Sequence, residues 1–215
     1  MGARKTILAT GEIYHIFNHS VQGIPIFRGQ RECNLFLEAM KFYLQPKPPT
    51  RFSIYRVSKD RFPIKLNLKL VTIINFCLMP NHFHFTLRQE MEKGIRRFIQ
   101  RLTNSFAHYF SVKYKNKGAV FEGNFKAVHV ETDEQLFHLS RYIHLNPVTA
   151  YLVEKPENYP YSSYQVYLGD EKSEIVNPSL ILTHFASPKK YQEFVADQKD
   201  YQRVLGKIKH LFLEG

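Results

Sequence analysis

The chain has 215 residues, 44% of them hydrophobic and 14% aromatic, which is enough for one globular domain with a full core and excludes a disordered tail. Its formal net charge of +11 at pH 7 predicts a polyanionic partner, most commonly nucleic acid, although a basic surface can also serve solubility alone. Two distant cysteines, Cys33 and Cys77, exclude a zinc-finger set and predict a reducing, cytoplasmic location without disulfides, and no apolar run approaches the roughly 18 residues of a membrane span.

The first part of the chain has alternating strand and helix patterns. Residues 12–19 alternate between the two faces of a strand, and a loop follows. Apolar residues at helical spacing over 35–43 predict a helix that the next prolines end. Residues 52–57 are predicted to form a second strand, and residues 59–65 a basic turn or hairpin.

A His-x-His pair stands at the end of the apolar run that begins at Leu70. Strand alternation places His82, His84 and Thr86 on one face and apolar side chains on the other. With the run before it, this strand is expected to form a hairpin in the middle of an antiparallel sheet. A lone His-x-His is most often structural, so a functional interpretation needs a second observation.

The longest predicted helix covers residues 92–115. Arg96, Arg97 and Arg101 lie outside its apolar stripe, either as a solvated face or as a track for phosphates, and both interpretations stay open. Residues 120–130 are predicted to be extended.

The second observation comes from the helix that follows. Thr132 and Gln135 form a capping-box start, and Pro147 is expected to prevent much continuation, which gives a helix of about fourteen residues. Residues four apart share a helix face, so His138, Tyr142 and Asn146 form one row. A potential nucleophile and an oxygen ligand would then lie near two imidazoles.

The end of the chain, residues 171–215, is predicted to be a small helical extension to a main domain of residues 1–170. It is expected to contain two short helices, the first around 180–185 and the second beginning near Lys189.

Five segments together resemble the single-tyrosine transposases of the HUH endonuclease superfamily, of the insertion-sequence and REP-associated types. They are YHIFN at 14–18, LMPNHFH at 78–84, VFEGNFK at 120–126, RYIHLNP at 141–147 and YPYSSY at 159–164. Each segment is weak alone, but the set occurs in the order of the family and extends over residues 10 to 170.

The resemblance implies an α+β fold with a central antiparallel sheet and helices mainly on one face, as in the ferredoxin-like HUH core. It implies cleavage and strand transfer of single-stranded DNA next to a hairpin, with Tyr142 forming a 5′-phosphotyrosine ester. His82, His84 and Asn146 would hold a divalent metal, and two imidazoles with an amide oxygen suit Mg²⁺ or Mn²⁺ better than structural zinc. The protein would be a monomer or a homodimer, nucleoid-associated when bound to DNA.

Further residues are expected to contact DNA, with less specific support. They are Arg96, Arg97, Arg101, Lys126, Arg141 and His144. His138 and His144 could also help to remove the phenol proton, although a structural or DNA-contacting role is the stronger expectation for each. Tyr109 and Tyr114 are rival nucleophiles, but neither has an amide four residues later.

The chain departs from the family pattern at two places. Relatives commonly carry Arg-Gly at the position of His19-Ser20 and arginine at the position of Asn124, so two guanidinium groups that could clamp phosphate are missing. Two alternatives stay open: a domesticated, non-catalytic protein that binds hairpin DNA or RNA, and a metal-dependent phosphodiesterase that uses water.

Overall fold

The computed structural model describes residues 6–197, and its centre is a four-stranded sheet. The strands are β1 (Ile13–His19), β2 (Val71–Met79), β3 (His82–Gln89) and β4 (Lys126–Val130). Their order is β2-β3-β1-β4, and each neighbouring pair is antiparallel. The predicted hairpin is therefore confirmed, with β3 inside the sheet and β2 at its edge.

Seven α-helices lie in the described part of the chain. They are α1 (Gln30–Tyr43), α2 (Phe52–Val57), α3 (Gly94–Tyr114), α4 (Asp133–Thr149), α5 (Tyr164–Leu168), α6 (Ser179–Leu182) and α7 (Pro188–Ala196). Short 3-10 turns occur at Val21–Gly23, Lys59–Arg61 and Pro156–Asn158. None of these helices is long and apolar enough to cross a membrane.

The strand alternation gives the sheet two chemically different faces. One carries His82, His84 and Thr86 of β3 and is called the histidine face. The other carries Phe83, Phe85 and Leu87 and is called the phenylalanine face. A two-residue turn after Met79 sets this register, because Met79 pairs directly with His82.

Helices cover both faces of the sheet. On the phenylalanine face, Phe36 of α1 packs 5.6 Å from Phe83 and Phe98 of α3 packs 6.2 Å from Phe85, measured between ring centroids. On the histidine face, Ile143 of α4 packs with Cys77 and Met79 of β2. The α+β class and the central antiparallel sheet are confirmed, but the helices lie on both faces and not mainly on one, because β2 and β3 bury side chains on both of their sides.

The two edges of the sheet differ in how they are covered. Along β2, backbone bonds join Leu78 N to Tyr161 O, Ser163 N to Phe76 O and Asn177 N to Ile73 O. The chain after α4 therefore protects this edge. At the β4 edge the histidine face is open, and Val128 has 54% of its surface exposed.

Two local predictions were wrong. Residues 52–57 form the helix α2 instead of a strand, because Phe52 and Tyr55 both pack on Phe42 of α1, with ring centroids 5.4 and 4.8 Å away. The predicted length of α4, about fourteen residues, was too short, because the helix has 17 residues and continues two residues beyond Pro147 to Thr149. So close to the end of the helix, the proline removes only one backbone donor.

The last described helices belong to the same core as the sheet. Tyr191 and Val195 of α7 are fully buried, and α7 packs against α4 and α5. The two short helices predicted here are present at 179–182 and 188–196. The rest of the predicted extension, residues 198–215, lies outside the described residues.

Candidate active site

Four histidines lie together on the histidine face. His82 and His84 of β3 have ring centroids 4.9 Å apart, and the His19 ring of β1 lies 4.8 Å from that of His82. His15 of β1 contacts His84. Neither His15 nor His19 was predicted from the sequence to be a site residue. Their spacing was the available signal. Residues two or four apart in a strand lie on the same face, so His15 and His19 share a face just as His82 and His84 do.

His82 is held as a neutral imidazole with a defined tautomer. Its Nδ1 lies 2.7 Å from Oδ1 of Asn81, an atom that only accepts, so Nδ1 carries the proton and Nε2 keeps a lone pair. Burial, reinforced by nearby His19, lowers the pKa of His82 to about 4. At neutral pH this side chain is therefore ready to bind a cation.

His84 is buried, with 4% of its surface exposed, and its Nδ1 lies 2.9 Å from Nε2 of His15. The two rings are nearly parallel, at 20°. Burial lowers the pKa of His15 to about 4, so His15 is also neutral at physiological pH. One proton is shared in this contact, and whichever ring donates it determines the tautomer of His84.

Tyr142 of α4 lies against both rings of this pair. Its ring centroid is 5.6 Å from that of His84 and 6.3 Å from that of His15, edge to face in both cases. Burial raises the pKa of the Tyr142 phenol, while a hydrogen bond with Asn146 lowers it, and the pKa remains above its ordinary value. The phenol is therefore protonated at neutral pH and has to lose a proton to act as a nucleophile.

Asn146 lies one helical turn after Tyr142. Its Nδ2 donates to the Tyr142 carbonyl over 3.1 Å, which turns the amide so that Oδ1 retains its lone pairs. Within residues 6–197, no group of three or more His, Cys, Asp or Glu side chains could hold a metal. A third protein ligand beside His82 and His84 would have to be of another type, and a neutral amide oxygen suits a hard cation. The donor chemistry thus fits Mg²⁺ or Mn²⁺.

Lys126 lies on the open part of the histidine face. It pairs with Phe17 across β1 and β4, and its Nζ is 5.8 Å from the Phe17 ring centroid. The exposed Val128 and the half-buried His19 flank it on the same side. Glu122 and Lys126 both act electrostatically on His19, and burial is the main cause of its lowered pKa. This surface combines a cation with exposed apolar and aromatic groups.

Two of the three arginines of α3 point to the loop after α1, and the third points elsewhere. Arg97 donates to the Pro46 carbonyl, and Arg101 donates to the carbonyls of Gln45 and Pro46. Arg101 also lines a cavity of about 770 Å³ between α1, α2 and α3, whereas Arg96 lines a separate groove that includes Asn124. All three lie on a helix that covers the phenylalanine face, so the structure does not bring them next to Tyr142.

Arg141 and His144 are held by protein contacts. Arg141 is 7% exposed, lies 2.5 Å from Nδ1 of His138 and stacks on the Phe194 ring at 4.3 Å. His144 is fully buried, with its ring nitrogens 2.7 Å from the Tyr191 hydroxyl and 2.9 Å from Ser163 Oγ. Of the two roles expected for His144, the DNA contact is contradicted by this burial and the structural role is supported. The exposed His138 pairs with Arg141 and not with the site.

The rival tyrosines are occupied elsewhere. The hydroxyls of Tyr109 and Tyr114 each donate to Oε1 of Glu32 over 3.0 Å, between α1 and α3. That cluster lies across the sheet from His82 and His84. Among the candidate nucleophiles, Tyr142 alone contacts the histidine face.

Comparison with known proteins supports the resemblance found in the sequence. Residues 60–146 match the family model described as IS200-like transposase, a span that contains His82, His84, Tyr142 and Asn146. Among solved structures, the chain is similar to one described as a REP-associated tyrosine transposase bound to a REP hairpin. The two share 13% identity and a TM-score of 0.51, over 82% of this chain and 94% of that chain. At this identity the likeness shows the fold. No curated protein sequence matches the chain.

Proposed function

We propose that this chain, which resembles the IS200-like transposases over residues 60–146, is a metal-dependent transposase that cleaves and rejoins single-stranded DNA next to a hairpin. The observation that carries the proposal is the contact of Tyr142 with His84, with the Asn146 amide one turn later on the same helix. A nucleophile, two nitrogen ligands and an oxygen ligand then occupy one sheet face. The hairpin in the substrate is proposed from the solved relative, which is bound to one.

The reaction replaces one phosphate ester by another. Tyr142 Oη attacks the phosphorus atom, the new Oη–P bond forms, and the P–O3′ bond breaks. The released 3′ oxygen takes up a proton, and the 5′ phosphate stays on the tyrosine. Because the ester energy is conserved, attack by a 3′ hydroxyl reverses the step and rejoins a strand without ATP.

Two imidazole side chains and one amide side chain would hold the cation. His82 and His84 would each give a ring nitrogen, and Asn146 would give Oδ1. A bound Mg²⁺ or Mn²⁺ supplies Lewis-acid neutralisation of the phosphate charge that otherwise repels a nucleophile. The protein's own contribution is to place Tyr142 beside the ligands, on a helix that holds it against His84.

The open part of the histidine face is the proposed path for DNA. Lys126 would contact a phosphate, and Phe17 and Val128 would offer apolar surface to an unstacked base. A single strand can be spread over such a surface with its bases unstacked, whereas the bases of a paired duplex stay stacked on one another and cannot lie on Phe17 or Val128.

A covalent adduct tests the proposal directly. The purified protein is incubated with Mn²⁺ and labelled single strands that carry hairpins from the flanks of its own gene, and the products are separated on a denaturing gel. The wild-type protein is expected to give a slower, protease-sensitive band that Tyr142→Phe does not give. Tyr109→Phe is the matched control, because its hydroxyl lies in the Glu32 cluster.

Three results would contradict the proposal. An adduct of undiminished yield in Tyr142→Phe would assign the nucleophile elsewhere. Hairpin binding by the wild-type protein without any adduct would favour a domesticated binding protein, and cleavage without an adduct would favour a phosphodiesterase that uses water.

A further inference from the structure

His15 of β1 is a half-buried histidine to which the proposed function gives no role. We propose that His15 is a positioning residue whose Nε2 accepts the proton on His84 Nδ1 and thereby leaves His84 Nε2 unprotonated for metal binding. The inference rests on the proposed function, because it concerns the same site. It can be tested separately, because it states which nitrogen of His84 carries the proton.

The sheet register brings the two rings together. His15 is directly opposite Thr86, and His84 is directly opposite Phe17, so His15 and His84 are diagonal neighbours on one face. The distance from His15 Nε2 to His84 Nδ1 is 2.9 Å, which is ordinary for a hydrogen bond. This contact joins two strands that are far apart in the sequence.

The direction of the hydrogen bond determines whether His84 can be a ligand. If His84 donates from Nδ1, its Nε2 keeps a lone pair that can bind a cation. If His15 donates instead, the neutral His84 carries its proton on Nε2 and has no free nitrogen. A metal-binding histidine usually donates its other N–H to a neighbouring acceptor, which fixes both the tautomer and the ring orientation.

The second ligand has the same arrangement, which supports the assignment. His82 donates from Nδ1 to Asn81 Oδ1 over 2.7 Å, so each of the two histidines would have its Nδ1 proton accepted by a neighbouring side chain. For His84 that neighbour is a neutral imidazole. A neutral acceptor orients the ring without adding a negative charge next to a cation that has to attract phosphate.

The surroundings hold the His15 ring in place. Phe17 stacks on it with centroids 4.8 Å apart and planes at 27°, and the Tyr142 ring meets it edge-on from above. These contacts limit rotation of the ring.

Nuclear magnetic resonance of the metal-free wild-type protein tests the proton position without any substitution at residue 15. Long-range proton–nitrogen spectra of histidine labelled with nitrogen-15 distinguish the two tautomers, and the loss of signals in His84→Gln assigns the residue. We expect His84 to be protonated on Nδ1 and unprotonated on Nε2. A proton on Nε2 would overturn the proposal.

Metal affinity tests the consequence. His15→Phe keeps a ring but removes the acceptor, and Mn²⁺ binding measured by calorimetry is expected to weaken by about 10- to 100-fold. His15→Gln supplies an amide oxygen as acceptor and is expected to restore binding close to that of the wild type. His129→Phe, which removes an imidazole from the other face of the sheet, is the control and should bind Mn²⁺ normally.

Two outcomes of this series would overturn the proposal. One is wild-type affinity in His15→Phe. The other is equal weakening in the Phe and Gln variants while both stay folded by circular dichroism, which would indicate a purely steric role. Neither measurement uses DNA, so they remain decisive if no covalent adduct is found.

Discussion

Tyr142 of α4 meets His84 of β3 edge to face, with ring centroids 5.6 Å apart and ring planes at 80°. The contact depends on the way α4 is seated, because Ile143 packs into β2 against Cys77 and Met79 immediately beside the tyrosine. The position of the candidate nucleophile is therefore fixed by packing in the core and not by a loop. A helix seated in this way places a reactive hydroxyl more reproducibly than a mobile segment does.

Replacing either candidate ligand should abolish cleavage and weaken metal binding. His82→Ala and His84→Ala each remove one nitrogen, and we expect the affinity for Mn²⁺ to fall by at least about tenfold, because two remaining ligands hold a hard ion poorly. Calorimetry with Mn²⁺ measures the affinity, and the adduct gel measures cleavage. His129→Ala is the control on the opposite face. Identical metal binding in wild type and variants would mean that the pair is structural.

Removing the buried His144 should destabilise the fold without a specific effect on DNA binding. His144→Ala deletes the hydrogen bonds to Tyr191 and Ser163 and leaves a cavity, which together should cost about 3 kcal/mol of unfolding free energy. Urea unfolding measures the loss, and DNA affinity is compared at a temperature at which the variant is folded. The exposed His184→Ala is the control. Normal stability with weakened DNA binding would reinstate the DNA contact predicted from the sequence.

The elements that could be predicted from the sequence are those with a clear local period or a specific cap. The histidine strand, the long helix α3 and the capped start of α4 are of this kind, and Thr132 does accept from the Gln135 backbone. The prediction of a strand at 52–57 was wrong. Aromatic and branched residues favour a strand locally, but the contact with Phe42 stabilises a helix here.

The site was predictable only in part for a similar reason. The spacing within one strand and within one helix is local, so His82, His84, Tyr142 and Asn146 could be selected before the structure. His15 could not, because its role depends on which strands are neighbours, and 69 residues separate it from His84. The burial of His144 likewise depends on α7, a helix far along the chain that supplies Tyr191.

The Glu32 cluster should make the folding stability of the protein depend on pH. Glu32 is 3% exposed and accepts from Lys113, Tyr109 and Tyr114. Burial raises its pKa, but these hydrogen bonds together outweigh burial, so the pKa lies below its ordinary value. The folded state therefore takes up the proton less readily than the unfolded state. This stabilisation is fully present above the unfolded pKa of about 4.5 and is lost as the pH falls through the folded pKa.

Glu32→Gln tests this dependence. The variant should be less stable at pH 7 by about 2 kcal/mol, because a charge-assisted acceptor is lost, and the difference from the wild type should shrink below pH 4.5. Urea unfolding at several pH values measures both quantities, with the exposed Glu171→Gln as the control. A constant difference at all pH values would show that the carboxylate charge is not the source of the stability.

The last prediction concerns the form of the substrate and the part of Lys126 in binding it. A tyrosine held on α4 cannot reach in line to a phosphate of a stacked duplex without distorting it, so we expect cleavage of a hairpin-bearing single strand and not of the fully paired duplex of the same sequence. Equal cleavage of the two would refute the idea, whatever their affinities.

Binding to the single strand should weaken steeply with salt, because phosphate contacts release counterions. Lys126→Ala, on the open histidine face, should weaken binding about equally for different sequences and reduce the logarithmic salt slope by about 0.7, the contribution of one contact to a single strand. Lys172→Ala, an exposed lysine in the chain that follows α5, is the matched control for a general loss of charge. Fluorescence anisotropy over a series of salt concentrations gives the slopes. If both variants reduce the slope equally, the attraction comes from the net charge of +11 and not from a defined path over β1 and β4.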